Sequence, residues 1–140
     1  MFNKYYAGFD LGGKNLRVAV ADSDGKFIGR IFSEEVDVSC GPRQIPEQMI
    51  ALLDRASFDA RVELTDISAI GISSAGPLDL KKFGGSIRNS TNIKFDGVER
   101  GDSFWNYRGE SLVEAVNGKE NIYIPLVDPI ANYYKRDVFL

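Results

Sequence analysis

The sequence has no histidine and a single cysteine, Cys40. Without an imidazole, Ser-His and Cys-His nucleophilic mechanisms are excluded. The same shortage leaves no ligand set for zinc, and a lone cysteine closes no internal disulfide. Long apolar runs are also lacking. Nothing approaches the roughly 18 residues of a membrane-spanning helix. No secretory pattern precedes Asp10, so a cytoplasmic protein without a membrane partner is expected. An excess of basic residues is lacking as well. Lys and Arg number 17 against 20 Asp and Glu, a formal charge of −3. A nucleic-acid partner would need a basic face, so none is expected. Chemistry is left to carboxylates, hydroxyls, lysine and backbone amides. The 140 residues, 44% hydrophobic and 26% charged, suffice for one domain with a buried core.

Strand signals open the chain. Tyr5 to Asp10 is apolar and aromatic, and Leu11-Gly12-Gly13-Lys14-Asn15 is a turn. Leu16 to Ala21 is rich in β-branched residues, Asp22-Ser23-Asp24-Gly25 is a hairpin turn, and Lys26 to Phe32 is a third strand. Pro46 to Ser57 has apolar residues at helical spacing. Asp66 to Ser73 reads as a strand, and Ser74 to Asp102 as loop. Ser103 to Val116 is expected to be a helix ended by Asn117-Gly118, Asn121 to Val127 a strand, and Pro129 to Leu140 a helix. The order β-β-β-α-β-α-β-α implies one mixed five-stranded sheet with helices on both faces. Loops at Asp10, Ser73 and Asp128 would then meet near the carboxyl ends of the strands, where open α/β sheets bind ligands.

Gly8 to Asn15 nearly fits G-x-x-x-x-G-K-[ST]. A P-loop needs a helix after its lysine. Here a strand is expected, and Asn15 lacks the metal-holding hydroxyl, so that reading is rejected. Gly-Gly between strands is an ordinary hairpin turn. A carboxylate at the strand end beside two glycines also suits Mg²⁺ and phosphate.

The run Gly8-Phe9-Asp10-Leu11-Gly12-Gly13-Lys14-Asn15-Leu16-Arg17, continuing to Asp22 and Gly25, resembles the first phosphate motif of the ROK family. These are sugar kinases and related repressors of the actin-like and hexokinase-like ATPase superfamily. Ile70-Gly71-Ile72-Ser73-Ser74-Ala75-Gly76-Pro77-Leu78-Asp79 is similar to a second family segment, G-I-x-x-x-G-P-[VL]-D. Asn92-Ile93 resembles its sugar-contacting Asn-Leu, and Ile122 to Asn132 stands where the family has a strand ending in Asn-Asp-x-Asn-Ala.

The resemblance implies a ribonuclease H-like α/β domain, the N-terminal lobe of a two-lobed ATPase, with residues 1–140 as that one lobe. It implies that Asp10 assists Mg²⁺ and that Gly12, Gly13 and Lys14 face phosphate. Gly76 and Asn92 would lie along a small-molecule sugar, and Asp128 would be the base that takes the sugar's hydroxyl proton. Mg²⁺ and ATP are implied only where a second lobe or partner completes the site. Three departures stand out. Lys14 replaces a Thr, Val127 replaces the Asn before the catalytic Asp, and Pro129 follows that Asp directly. No counterpart of the family's second lobe, with its adenosine site, is expected within residues 1–140. A non-catalytic sugar- or nucleotide-sensing module, or a protein-interaction remnant, is therefore weighed beside a kinase half without turnover of its own.

Other residues have plainer readings. Asp128 before Pro129 reads equally as a helix N-cap and as a base. Arg17 reads as a sheet-face residue that could meet phosphate. Ser73 and Ser74 read as loop hydrogen-bonders, Cys40 as incidental, and Phe104 and Trp105 as core, with stacking against a sugar as the alternative for those two aromatics. Asn89-Ser90-Thr91 matches a glycosylation sequon with no secretory signal to support it. Tyr133 to Leu140 reads as an apolar surface seeking a partner, either a second copy or a separate lobe, or as a fraying end.

Overall fold

Alternation with period two governs the first strands. The computed structural model describes residues 4–140. In β1 (Tyr5–Leu11), Ala7, Phe9 and Leu11 are buried; in β2 (Asn15–Asp22), Leu16, Val18 and Val20 are buried. Their neighbours Gly8, Asp10, Asn15 and Arg17 are exposed on the other face. β1 and β2 pair antiparallel across the Gly12-Gly13 turn, and β3 (Phe27–Glu35) pairs with β2. The second turn forms as its residues suggest. Asp22 Oδ1 accepts the amides of Asp24 and Lys26 at 2.9 and 3.0 Å, and Gly25 takes φ +80°.

The expected helix forms as α1 (Gln44–Ala60) and buries Ile45, Met49, Leu52, Leu53 and Ala56. It ends where Arg61 turns left-handed, at φ 56°. β4 (Ile67–Ser74) then runs parallel to β1, with Ile70 opposite Ala7 and Ser73 opposite Asp10.

Three expectations fail beyond β4. Ser103 to Val116 is not a helix. It holds a 3₁₀ turn (Asp102–Phe104), a loop, and the strand β7 (Val113–Val116). Gly109 sits at φ +76°, which breaks the helix, and Val113 and Val116 favour a strand. Phe104 is buried as expected, whereas Trp105 is 48% exposed.

Second, residues 119–125 form β8 (Lys119–Pro125), which does not join the main sheet. It pairs antiparallel with β6 (Ser86–Arg88) and β7, and β5 (Leu78–Asp79) completes a second, four-stranded sheet. Two of these strands lie within the stretch expected to be loop.

Third, the last segment is neither one helix nor a fraying end. α2 (Val127–Tyr134) stops at left-handed Lys135, and β9 (Asp137–Phe139) becomes the fifth strand, parallel to β4. Arg136 locks the junction: its Nε donates to Ile67 O and its Nη2 to Thr65 O, both at 2.8 Å. The main sheet is therefore five-stranded and mixed, in the order β3-β2-β1-β4-β9.

The helices do not flank it as expected. Residues of α1 and α2 join one core with the buried face of the sheet. The two helices touch each other there, where Tyr134 Oη lies 2.9 Å from Ile50 O and 2.9 Å from Asp54 Oδ1. Among the described residues no α-helix covers the opposite face; the helix expected over Ser103 to Val116 does not form. None of the helices is long and apolar enough to cross a membrane.

Burial first, and then the Asp54 carboxylate, raise the Tyr134 phenol well above its ordinary range. The folded pKa lies above the unfolded one, so the unfolded chain releases a proton that the folded chain keeps. Stability is full below about pH 10 and falls above it, by about 1.4 kcal/mol per pH unit. Urea unfolding between pH 9 and 11 measures this slope. Tyr134→Phe is expected to flatten it, and an unchanged slope would assign the loss to other groups.

Candidate functional site

The parallel strands β1 and β4 end side by side, and their loops build the site's first half. Asp10 stands exposed on the uncovered face. Its register neighbours are Arg17 on β2 and Ser73 on β4. Directly opposed residues share a sheet face, so the three form a polar row across three strands. The turn that follows is tight. The Gly12 amide donates to Asn15 O at 2.9 Å, while the amides of Gly13 and Lys14 have no protein acceptor among the described residues. Lys14 leads into a strand, as expected, so no P-loop forms. Its ammonium reaches Glu35 only at 4.0 Å, with both side chains exposed, a contact of little energetic weight.

Asn92 comes to this turn from 79 residues away in sequence. A Cβ added to Gly13 would overlap the Cβ of Asn92 and stand 3.2 Å from its Cγ. Gly13 therefore permits a close approach and does not need an unusual backbone. The Asn92 loop is held by Ser90, whose Oγ accepts the amide of Ile93 at 2.9 Å. Gly76 is close by. The amide of Ala75 donates to Leu11 O at 3.2 Å, tying the Gly76-Pro77 loop, with its cis peptide bond, to the end of β1.

Asp128 occupies a second half. The N-cap of α2 is Leu126 and it makes no side-chain cap. Asp128 is thus the second helical residue and Pro129 the third, which corrects the reading of Asp128 as a cap. Its carboxylate still favours the first turn through the helix dipole. Gly84 and Gly85, which the sequence showed only as a loop, support it. A Cβ on Gly84 would overlap Asp128 Oδ1, and one on Gly85 would stand 2.8 Å from Val127 Cγ2. Both glycines have positive φ, +70° and +148°, so no other residue fits easily there. The amides of Leu126 and Val127 donate to Gly85 O at 3.1 Å each.

The two halves are linked by the second sheet. The chain passes from Gly76-Pro77 into β5, and β5, β6 and β8 are successive neighbours leading to Asp128. Through β6, Leu78 stands level with Ile124 and Asp79 with Pro125, so Gly76 precedes one end of these strands and Asp128 follows the other; the structure does not bring the two residues together. Asp128 also lines a cavity of about 840 Å³ between α1 and α2, which none of Asp10, Gly12, Gly13, Lys14, Gly76 or Asn92 lines.

The turn's donor set suits a magnesium–phosphate group: one strand-end carboxylate beside two amides without acceptors. Among the described residues no three acidic, cysteine or histidine side chains cluster for a metal. Such an ion would take most of its ligands from phosphate and water, as Mg²⁺ commonly does.

Comparison with solved structures identifies the class of fold. A ROK hexokinase from Thermus thermophilus matches 97% of this chain with a TM-score of 0.64 at 20% sequence identity. A ROK family glucokinase from Streptomyces griseus, solved with glucose and AMPPNP, matches 97% with a TM-score of 0.55 at 19% identity. The chain therefore has a ROK hexokinase-like fold. It spans about a third of the length of these kinases, 34% and 32%. No family model matches the sequence, and no curated protein does.

Proposed function

We propose that this chain is the sugar- and phosphate-binding half of an ATP-dependent sugar kinase of the ROK type, built on a ribonuclease H-like sheet. The observation that carries the reading is the close approach of Gly13 to Asn92, which sets the Gly12-Gly13 turn against a polar loop at the carboxyl edge of β1 and β4. Gly12, Gly13 and Lys14 would receive the phosphates. Asp10 would hold Mg²⁺ through water, and the ion, when bound, supplies charge neutralisation on the phosphate oxygens. Gly76 and Asn92 would line the sugar. Asp128 would hold the proton of the attacking sugar hydroxyl during in-line transfer, where positioning carries most of the catalysis. Excluding water and aligning the nucleotide would fall to a second lobe. The reading includes a cytoplasmic location.

A second reading is favoured by Val127. Its side chain packs on Gly85 and offers no hydrogen bond where the family pattern has an amide. A sensing module would bind sugar or nucleotide without transfer.

Calorimetry with Mg-ATP and hexoses, run beside an ADP-release assay, tests the proposal. Both ligands are expected to bind weakly, with no ADP release by the chain alone. Asp10→Ala is expected to weaken Mg-ATP about tenfold, a loss of about 1.4 kcal/mol. Sugar-dependent turnover that Asp128→Asn abolishes would mean that this chain builds a complete site. Absence of binding by either ligand would contradict the proposal.

A further inference from the structure

The cavity behind Asp128 has no role in the site described above. It lies between α1 and α2, and Asn106, Tyr107, Arg108, Glu110 and Ser111 line it as well. Its volume, about 840 Å³, falls within the roughly 300–1,000 Å³ of pockets for drug-sized ligands. One hexose would not fill it.

Its lining points to a neutral ligand. Arg43, Lys81, Lys82 and Arg108 bring four positive charges, and Glu47, Glu110 and Asp128 bring three negative ones. Arg43 is already paired with Glu47 at 3.6 Å, and Lys82 with Glu114 at 2.7 Å. The remaining cations, Lys81 and Arg108, line the cavity together with the remaining acids, Glu110 and Asp128. A phosphate would meet those two carboxylates as well as the two cations. A polyhydroxyl ligand can donate to the acids and accept from the cations.

Aromatic walls supply the other requirement. Tyr107 is 73% exposed and Tyr133 is 56% exposed, yet both are held in place. The Arg43 guanidinium lies 5.0 Å from the centroid of the Tyr107 ring. The Tyr107 loop is closed by the Asn106 amide donating to Glu110 O at 2.9 Å and by Asn106 Oδ1 accepting the Glu110 amide at 2.9 Å. Tyr133 Oη donates to Asp54 Oδ2 at 3.3 Å, and its ring packs edge-on against Tyr134 at 4.8 Å. Flat apolar faces beside fixed polar groups suit the two sides of a pyranose ring, which is apolar on its C–H faces and polar at its rim. The amide side chains of Asn106 and Asn132 also line the cavity.

We propose that this cavity holds a second sugar ring, so that the acceptor is a disaccharide or glycoside whose first ring meets Asp128. The inference rests on the kinase reading and narrows its substrate class. Calorimetric titration of the 140-residue protein with glucose, maltose, cellobiose, lactose and magnesium pyrophosphate tests it. At least one disaccharide is expected to bind tenfold more tightly than glucose. Tyr107→Ala is expected to erase that advantage and leave glucose binding unchanged, while Tyr107→Phe keeps it. Asn132→Ala provides a second variant at an exposed position. Disaccharides no tighter than glucose would overturn the inference, as would an advantage that survives both alanine variants. So would pyrophosphate binding that Arg108→Ala removes, which would mark an anion site. If glucose and pyrophosphate still bind the turn in those cases, the kinase reading stands. If no sugar and no pyrophosphate binds, both fall together.

Discussion

Gly13→Val is expected to raise the dissociation constant for magnesium pyrophosphate by about 30-fold, roughly 2 kcal/mol, without unfolding the chain. The cause is space. A Cβ at residue 13 would overlap the Cβ of Asn92, an atom fixed to its own backbone. A flexible side chain could swing its far end away, but a Cβ moves only with its loop. The Asn92 segment must therefore shift, and the turn loses the wall that shapes it. Gly12 gives the contrast. A Cβ there would meet Asn15 O at 3.4 Å, ordinary contact, and Gly12→Ala is expected to change binding by less than about threefold, under 1 kcal/mol. Calorimetry on the three proteins, with circular dichroism as the check on folding, measures both effects. Equal effects at the two glycines would contradict the cradle formed with Asn92.

The largest effect on stability is expected at Ile70. This residue is fully buried in β4, with Ala7 and Val138 as its register neighbours on either side. Ile70→Ala removes three carbons from a core that cannot fully close, at a cost of about 2–5 kcal/mol. That is a large share of the roughly 5–15 kcal/mol that holds a domain folded. The next residue is expected to behave in the opposite way. A Cβ on Gly71 meets nothing within 4 Å, and the same holds at Gly8, its partner on β1. Gly71→Ala is therefore expected to be neutral or to stabilise by up to about 1 kcal/mol, through the unfolded chain. Urea midpoints with an unchanged slope give both values. A large loss at Gly71 would mean that this face of the sheet is packed and not open.

The two halves of the chain differed in how far their sequence could be read. β1, β2, β3 and α1 are built by local rules. Ala7, Phe9 and Leu11 alternate, Asp22 closes its own turn, and Met49, Leu52, Leu53 and Ala56 recur at helical spacing. Beyond residue 74 the structure depends on distant contacts. β9 is three residues long and carries no period of its own. It becomes a strand because Lys135 ends α2 and Arg136 clamps the chain to Thr65 and Ile67. Ser103 to Val116 is expected to be a helix, yet Gly109 breaks it and β8 pairs with the strand that follows.

The site shows the same division. Asp10, Gly12 and Gly13 are legible as a motif, and Asn92 and Asp128 through the family resemblance. That Asn92 touches Gly13, or that Gly84 faces Asp128, is not visible in one dimension. The visible signal at Gly84-Gly85 is a pair of glycines within a stretch that reads as loop, a pattern that ordinary turns share. The row formed by Arg17, Asp10 and Ser73 needed the pairing register to appear.

Amide-resolved NMR titration of the uniformly ¹⁵N-labelled chain, first with magnesium pyrophosphate and then with a hexose, addresses the proposed half-site most directly. Pyrophosphate is expected to move the amides of Gly12, Gly13 and Lys14. The sugar is expected to move those of Gly76, Asn92 and Asp128, with Gly84 responding alongside Asp128. Saturable shifts at both sets would place phosphate and sugar on the two halves of one site. Shifts confined to other regions, or none at millimolar ligand, would contradict a sugar- and phosphate-binding half.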